Sequence, residues 1–207
     1  MSVINFQKKY NLKPDGIVGK ETALKIKEVF NLTFEQTSHF LGQLKTESNF
    51  KSIRENMNYS WKRLRQVFSK YFPTDSIAKM FNYKPQEIAN KVYGGRMGND
   101  NINDGFKYRG VGALQITGED NIRALAKYLN DESIVENPDL ILEKYYFESA
   151  LWYFNYNKIW KYCDKVTDIN ITFVSKAINL GSPFAKGTPN HLKERILNSK
   201  FYYNLIK

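Results

Sequence analysis

The amino-acid sequence predicts a mainly α-helical protein, on two observations. Apolar residues recur at the i, i+3, i+4 and i+7 spacing of a helix through most of the chain. The one long departure, residues 94–116, carries Gly94, Gly95, Gly98, Gly105, Gly110 and Gly112 and few helix formers, so it reads as loop or a small irregular sheet. A chain of 207 residues is long enough to bury one main core. Its 42% hydrophobic and 15% aromatic content excludes a disordered polymer.

Taken in order, residues 1–30 divide at the turn signal Lys13-Pro14-Asp15-Gly16. A short helix around Phe6 precedes it and a second helix, carrying Ala23, Leu24 and Ile26, follows. From Thr33 a helix is well marked, because Thr33 and Gln36 have capping-box spacing and Phe40, Leu44 and Glu47 share one face before Ser48-Asn49 ends it. A helix from Ser60 is expected to carry Trp61, Leu64, Phe68 and Tyr71 inward until Pro73. Another runs from Pro85, at its first turn, through Ile88 and Val92 to Gly94. Thr117 reads as the N-cap of a helix that buries Ile122, Leu125, Ala126 and Leu129. Beyond Pro138, Phe147, Ala150, Leu151 and Phe154 mark one helix, Phe173, Ala177 and Ile178 another, and Leu192, Ile196 and Leu197 the last. No repeat of fixed period is present, which excludes solenoids.

Thirty-one Lys and Arg against 21 Asp and Glu give a net charge of +10, which predicts attraction to a polyanion: nucleic acid, an anionic membrane or a bacterial wall. Cys163 is the lone cysteine, so no internal disulfide forms and synthesis in a cytosol fits best. No apolar run nears the ~18 residues of a membrane span, so no stable membrane insertion is expected. The start, from Met1 to Gln7, lacks the basic-then-apolar plan of a signal peptide. Any target beyond the membrane then requires delivery by another agent. His39 and His191 are the only histidines and neither joins a metal-ligand motif, so no metal is expected. The basic run Lys62-Arg63-Leu64-Arg65 beside Trp61 reads as the solvated face of a helix, and no nucleic-acid partner is expected.

Glu47 is the sharpest candidate for chemistry. Its place on an apolar stripe near the helix end favours a protonated carboxyl, through desolvation and the negative pole of the helix dipole, and a proton donor is what a departing glycosidic oxygen needs. A solvated glutamate at the stripe edge would occupy the same position. Glu55 lies past the helix end, where a loop or short strand would bring it across a cleft; it also suits a plain ion pair with Arg54 or Arg109. Two carboxyls roughly 6.5–9.5 Å apart admit a water between them and invert the anomeric carbon. Thr117 is placed to orient that water with its hydroxyl, or simply to cap its helix.

Several ordered blocks carry a resemblance: Thr46-Glu47-Ser48; Glu55-Asn56-Met57-Asn58-Tyr59-Ser60; residues 88–99, Ile-Ala-Asn-Lys-Val-Tyr-Gly-Gly-Arg-Met-Gly-Asn; residues 106–118, which include Tyr108-Arg109-Gly110-Val111-Gly112 and Gln115-Ile116-Thr117; and Ala177-Ile178-Asn179-Leu180-Gly181. Together they resemble glycoside hydrolase family 19, in its phage endolysin branch, over roughly residues 33–200. Residues 6–22 resemble the second half of a peptidoglycan-binding repeat whose earlier helix is absent. The resemblance implies an N-terminal segment at 1–30 and, at 31–207, a lysozyme-like superfamily domain with a small irregular β/loop region around its cleft. It implies Glu47 as general acid, Glu55 as general base and Thr117 holding the water. Tyr59, Arg109, Gln115, Asn121 and Asn179 fall at substrate-binding positions, although Asn121 would equally serve its helix and Asn179 a turn.

The expected activity is inverting cleavage of the β-1,4 bond between N-acetylmuramic acid and N-acetylglucosamine, without metal or organic cofactor. The expected partner is the peptidoglycan glycan strand and the expected state a monomer, made in the host cytoplasm and acting on the cell wall or carried in a phage particle. Thr46 stands where the family usually has histidine, Asn49 where glycines are common, and Val111 where a second arginine is usual. A chitinase of the same family, or a virion or baseplate wall-binding component with little catalysis, are the alternatives. The lack of glutamate between Ser60 and Lys70 favours peptidoglycan over chitin.

Overall fold

The computed structural model describes residues 2–51 and 53–207. Its helices, in chain order, are α1 (Val3–Lys9), α2 (Lys20–Val29), α3 (Phe34–Ser48), α4 (Trp61–Val67), α5 (Asp75–Met80), α6 (Pro85–Tyr93), α7 (Asp104–Lys107), α8 (Glu119–Leu129), α9 (Ser133–Glu136), α10 (Leu140–Lys144), α11 (Tyr146–Tyr156), α12 (Asp168–Asn179) and α13 (Leu192–Ile206). A 3₁₀ turn, Ile159–Tyr162, lies between α11 and α12. The fold is mainly α and lysozyme-like, as predicted. The chain forms two compact units, one of residues 2–51 with 143–207 and the other of residues 53–142.

In the first unit α3 begins with the predicted capping box: Thr33 Oγ1 accepts from Gln36 N at 3.1 Å while Gln36 Oε1 accepts from Thr33 N at 3.0 Å. Asn49, left-handed at φ +50°, ends the helix. α3 packs closely along α13. A Cβ placed on Gly42 would lie 2.3 Å from Ser199 Oγ and 2.6 Å from Ser199 Cα and N, so the two backbones approach this far only because residue 42 has no side chain. The last helix is present where predicted, but its buried face is Arg195, Ser199, Tyr202 and Ile206, whereas Leu197 is 67% exposed. Polar residues take much of the inward stripe, and a search for apolar periodicity passes over them.

α1 and α2 form as predicted. Phe6, fully buried, packs edge-on to Phe147 of α11 at 5.2 Å and against Phe30 at 6.2 Å. Gln7 closes the turn between the two helices: its Nε2 donates toward Asp15 Oδ1, Ile17 O and Thr22 Oγ1, and its Oε1 accepts from Gly16 N. His39 is buried, with Nε2 2.9 Å from Lys165 O and Nδ1 without a partner among the described residues. Cys163 is buried against Ile159 O, and burial pushes its thiol far above the usual cysteine range.

The second unit packs around Met57, Leu64, Phe72, Ala78, Ile88, Ala89 and Val92. α4 starts at its Ser60 cap but ends at Val67, well short of Pro73. Phe68 leaves helical geometry, and Arg65 Nη1 donates to Phe72 O at 2.9 Å across the turn that follows. Phe68 and Tyr71 still reach the core, from that turn rather than from a helix. α5, capped by Thr74, was not expected. α6 runs from Pro85 to the stop at Gly94, as predicted. The glycine-rich stretch folds around the isolated antiparallel bridges Arg54–Val111 and Val111–Ile116 and the one-turn α7. α8 differs from expectation at its start: Gly118, at φ +93°, is the residue before the first turn, and no side chain of its own caps it. Glu119 N donates instead to Asn99 Oδ1 at 2.9 Å, and Thr117 Oγ1 donates back to Gln115 O at 3.0 Å. A glycine in the left-handed region swings the preceding threonine out of capping position.

Candidate active site

In the first unit, Glu47 occupies the last turn of α3, its side chain 20% exposed. Its Oε1 lies 2.5 Å from Nη2 of Arg195, whose guanidinium is 1% exposed. Arg195 is itself fixed, donating from Nε to Asn190 O at 2.8 Å and from Nη1 to Gln43 Oε1 at 2.6 Å. Gln43, fully buried one turn before Glu47, passes its own Nε2–H to Ser175 Oγ at 3.1 Å. Arg195, Gln43 and Ser175 thus form a satisfied buried network that holds one oxygen of Glu47. Oε2 carries no hydrogen bond among the described residues. Burial chiefly, and then the charge of Glu47, push the Tyr153 phenol upward.

In the second unit, Glu55 is partly exposed and both of its oxygens are held. Tyr93 donates its hydroxyl to Oε1 at 2.8 Å, and Gly110 N donates to Oε2 at 3.1 Å. Two further bonds tie the same pair of segments: Glu55 N donates to Gly110 O at 2.8 Å, and the Arg109 side chain donates from Nε to Glu55 O at 3.2 Å. Burial, followed by the neighbouring Glu55 charge, raises the phenols of Tyr93 and Tyr59, so Tyr93 stays a hydrogen-bond donor across ordinary pH. A Cβ at Gly110 would meet Gln115 Oε1 at 2.7 Å and Glu55 Oε2 at 3.2 Å. The glycine therefore lets the chain lie directly against the carboxylate.

Behind Glu55 sit two guanidiniums. Arg54 pairs with Asp139 at 3.1 Å and donates to Lys107 O and Arg109 O; burial, aided by the Arg109 charge, pushes it down to about 10. Arg109 donates to Phe106 O at 2.7 Å, lies 3.9 Å over the Phe106 ring, and is also lowered by burial.

Of the residues singled out in the sequence, the second unit brings together Glu55, Arg109 and Gln115, all in contact with or next to Gly110. Thr117 follows Gln115 through its hydroxyl bond, and Asn121 Nδ2 donates to Thr117 O at 2.8 Å. Gln115, left-handed at φ +52°, donates to Gly112 O at 2.9 Å. Tyr59 packs edge-on to Phe68 at 5.6 Å. Glu47 and Asn179 belong to the first unit, where Asn179 Oδ1 accepts from Asn190 N at 2.8 Å, next to the carbonyl that Arg195 uses. Sequence reasoning missed Arg195, Gln43 and Tyr93. Only the 88–99 block that contains Tyr93 carried any signal for them; a buried arginine 148 positions from its glutamate has none.

Each carboxyl is anchored within its own unit, Glu47 by the Arg195 guanidinium and Glu55 by the Tyr93 hydroxyl and Gly110 N. No protein-family model matches the chain. It is 40% identical over 154 residues, 70% of this chain and 71% of the relative, to a glycosyl hydrolase family 19 domain-containing protein of Haemophilus influenzae. The chain belongs to glycosyl hydrolase family 19 and is a glycosidase.

Proposed function

We propose that the chain is a peptidoglycan hydrolase of the phage endolysin type, cutting the β-1,4 bond between N-acetylmuramic acid and N-acetylglucosamine with inversion. The observation that carries this reading is the unequal anchoring of two carboxyls. Arg195 grips Oε1 of Glu47 and leaves Oε2 to carry the donated proton, while Glu55 is held through both oxygens as an acceptor. In one displacement, Glu55 takes a proton from water, the water oxygen bonds to the anomeric carbon, and the glycosidic bond breaks as Glu47 protonates the leaving oxygen. Thr117 positions the water. Gln115, Asn121 and Asn179 offer amides to N-acetyl and hydroxyl groups, with Tyr59 and Arg109 beside the sugar path. No metal or organic cofactor takes part.

The charge of +10 suits an anionic wall. The enzyme works as a monomer, made in the cytoplasm and acting on the wall or carried in a phage particle. Residues 1–30 serve as a wall-binding-like segment in which Phe6 packs on Phe147 and Gln7 closes the turn between the two helices. A second reading, a wall-binding virion component with little catalysis, is favoured by Thr46 and Val111. Release of soluble muropeptides from purified sacculi separates them. Wild type should release them, and Glu47→Gln and Glu55→Gln should each lose at least ~100-fold in turnover. Release undiminished in Glu47→Gln sinks the assignment, release by none favours the binder, and cleavage of soluble chitin but not sacculi favours a chitinase.

A further inference from the structure

The first unit carries a groove of about 660 Å³ that the proposed chemistry does not use. It lies between the α1–α2 turn, the end of α3 and the last turns of α13, and its walls include Ile17, Phe50, Phe201 and Tyr202, with Lys45 and Lys51 along it. Ile17 is 65% exposed and Phe201 56%, so an apolar and aromatic surface faces solvent where burial was available to neither side chain. Phe50 is held into this wall by an unusual backbone. It sits at φ +59°, directly after Asn49 at φ +50°, a conformation disfavoured for a bulky residue and kept where the surroundings enforce it. The enforcing contacts are an edge-on packing against Tyr202 at 5.9 Å, the Lys45 ammonium 5.9 Å over the ring, and a bond from Lys51 N to Ser48 O.

The charge of this groove is one-sided. Among the described residues no Asp or Glu lines it, and neither Lys45 nor Lys51 carries an ion pair. Lys45 is oriented by Asn49 Oδ1 at 2.6 Å rather than neutralised. The exposed Phe201 ring and the half-buried Phe50 ring can pack on the apolar faces of pyranoses, and beside unpaired ammonium groups they complement a carboxylate-bearing glycan and fit an uncharged one less well. The volume lies within the roughly 300–1,000 Å³ of ordinary ligand pockets.

We infer that this groove is a second binding site for the acidic wall polymer, engaging an uncut stretch of peptidoglycan through Phe50 and Phe201 and its carboxylates through Lys45 and Lys51. The inference rests on the wall-hydrolase reading above. Its effect is to keep the enzyme on the strand between cuts, because a second contact turns rebinding into a local event.

The test is co-sedimentation of the full-length protein with insoluble sacculi, in the Glu47→Gln background so that the polymer stays whole. Adding Phe201→Ala and Lys51→Ala should weaken binding about tenfold, while Leu197→Ala, an exposed apolar change on α13 outside the groove, should bind like its parent. Lys51→Glu alone, at an exposed lysine, gives a second and structurally mild variant that should also weaken binding, and thermal melting checks that each is folded. Equal sedimentation of the groove variants and their parent overturns the inference. So does displacement of the parent by single-stranded oligonucleotide at concentrations where an equal charge of soluble acidic glycan has no effect. Loss of muropeptide release by wild type, with groove-dependent sedimentation intact, overturns the hydrolase reading and leaves the groove standing.

Discussion

Tyr93 and His39 show how far single residues depend on partners distant in sequence. The Tyr93 hydroxyl is the side-chain donor to Glu55 Oε1, at 2.8 Å, and hydrogen bonds to charged groups are worth roughly 1.5–3 kcal/mol. On the proposed reading, Tyr93→Phe should therefore lower turnover on sacculi about tenfold or more with little change in melting temperature; unaltered turnover would show that the phenol does not position the proposed base. His39 makes a different prediction. Burial lowers its pKa below the ordinary 6.5, so the folded protein keeps the ring neutral while the unfolded chain takes up a proton. Its contribution to stability is complete above pH 6.5 and is lost as pH falls from there toward the folded-state value. Melting temperature should fall over that window in wild type and more shallowly in His39→Gln, and identical slopes would contradict the assignment. Neither partnership was legible in the sequence: Glu55 and Tyr93 are 38 positions apart and His39 and Lys165 are 126 apart, with no local period to link them.

Elements whose ends are set by local chemistry were read well. The Thr33–Gln36 box, the Ser60 cap and Pro85 each act within one turn and appear where expected. Thr117 failed as a cap because the conformation of Gly118 decides the start of α8, and that conformation is supported by Met97, whose Cβ would lie 2.5 Å from a Cβ at residue 118. The inward face of α13 was misread for a related reason: Arg195 and Ser199 are buried by what α3 offers them, Gln43, Glu47 and the bare backbone at Gly42. Gly42→Ala should therefore cost roughly 1–3 kcal/mol by overpacking, measured by chemical denaturation. Ser199→Ala should not restore that loss, since backbone atoms of residue 199 still stand at 2.6 Å, only slightly beyond its hydroxyl at 2.3 Å. Full recovery in the double variant would relocate the conflict to the side chain.

At the scale of the whole molecule, the net charge of +10 makes attraction to any polyanion, the proposed wall included, long-ranged at low ionic strength and weak once the screening length shrinks to about 8 Å near 0.15 M salt. Lysis of permeabilised cells should slow severalfold as salt rises from low to physiological levels, and an unchanged rate would remove the steering argument. Fold class was legible because helical periodicity is repeated in segment after segment, so single errors such as the length of α4 do not alter the outcome. The candidate carboxyls Glu47 and Glu55 could be named from the sequence but their anchors could not, because anchoring is a property of the assembled chain. Cys163 has one more consequence. A solitary thiol sealed from solvent, its ionisation suppressed, is a poor target for oxidants and has no intramolecular mate. The polypeptide accordingly has the same covalent skeleton under reductant or in air, and its folding should be indifferent to which side of a bacterial membrane it occurs on.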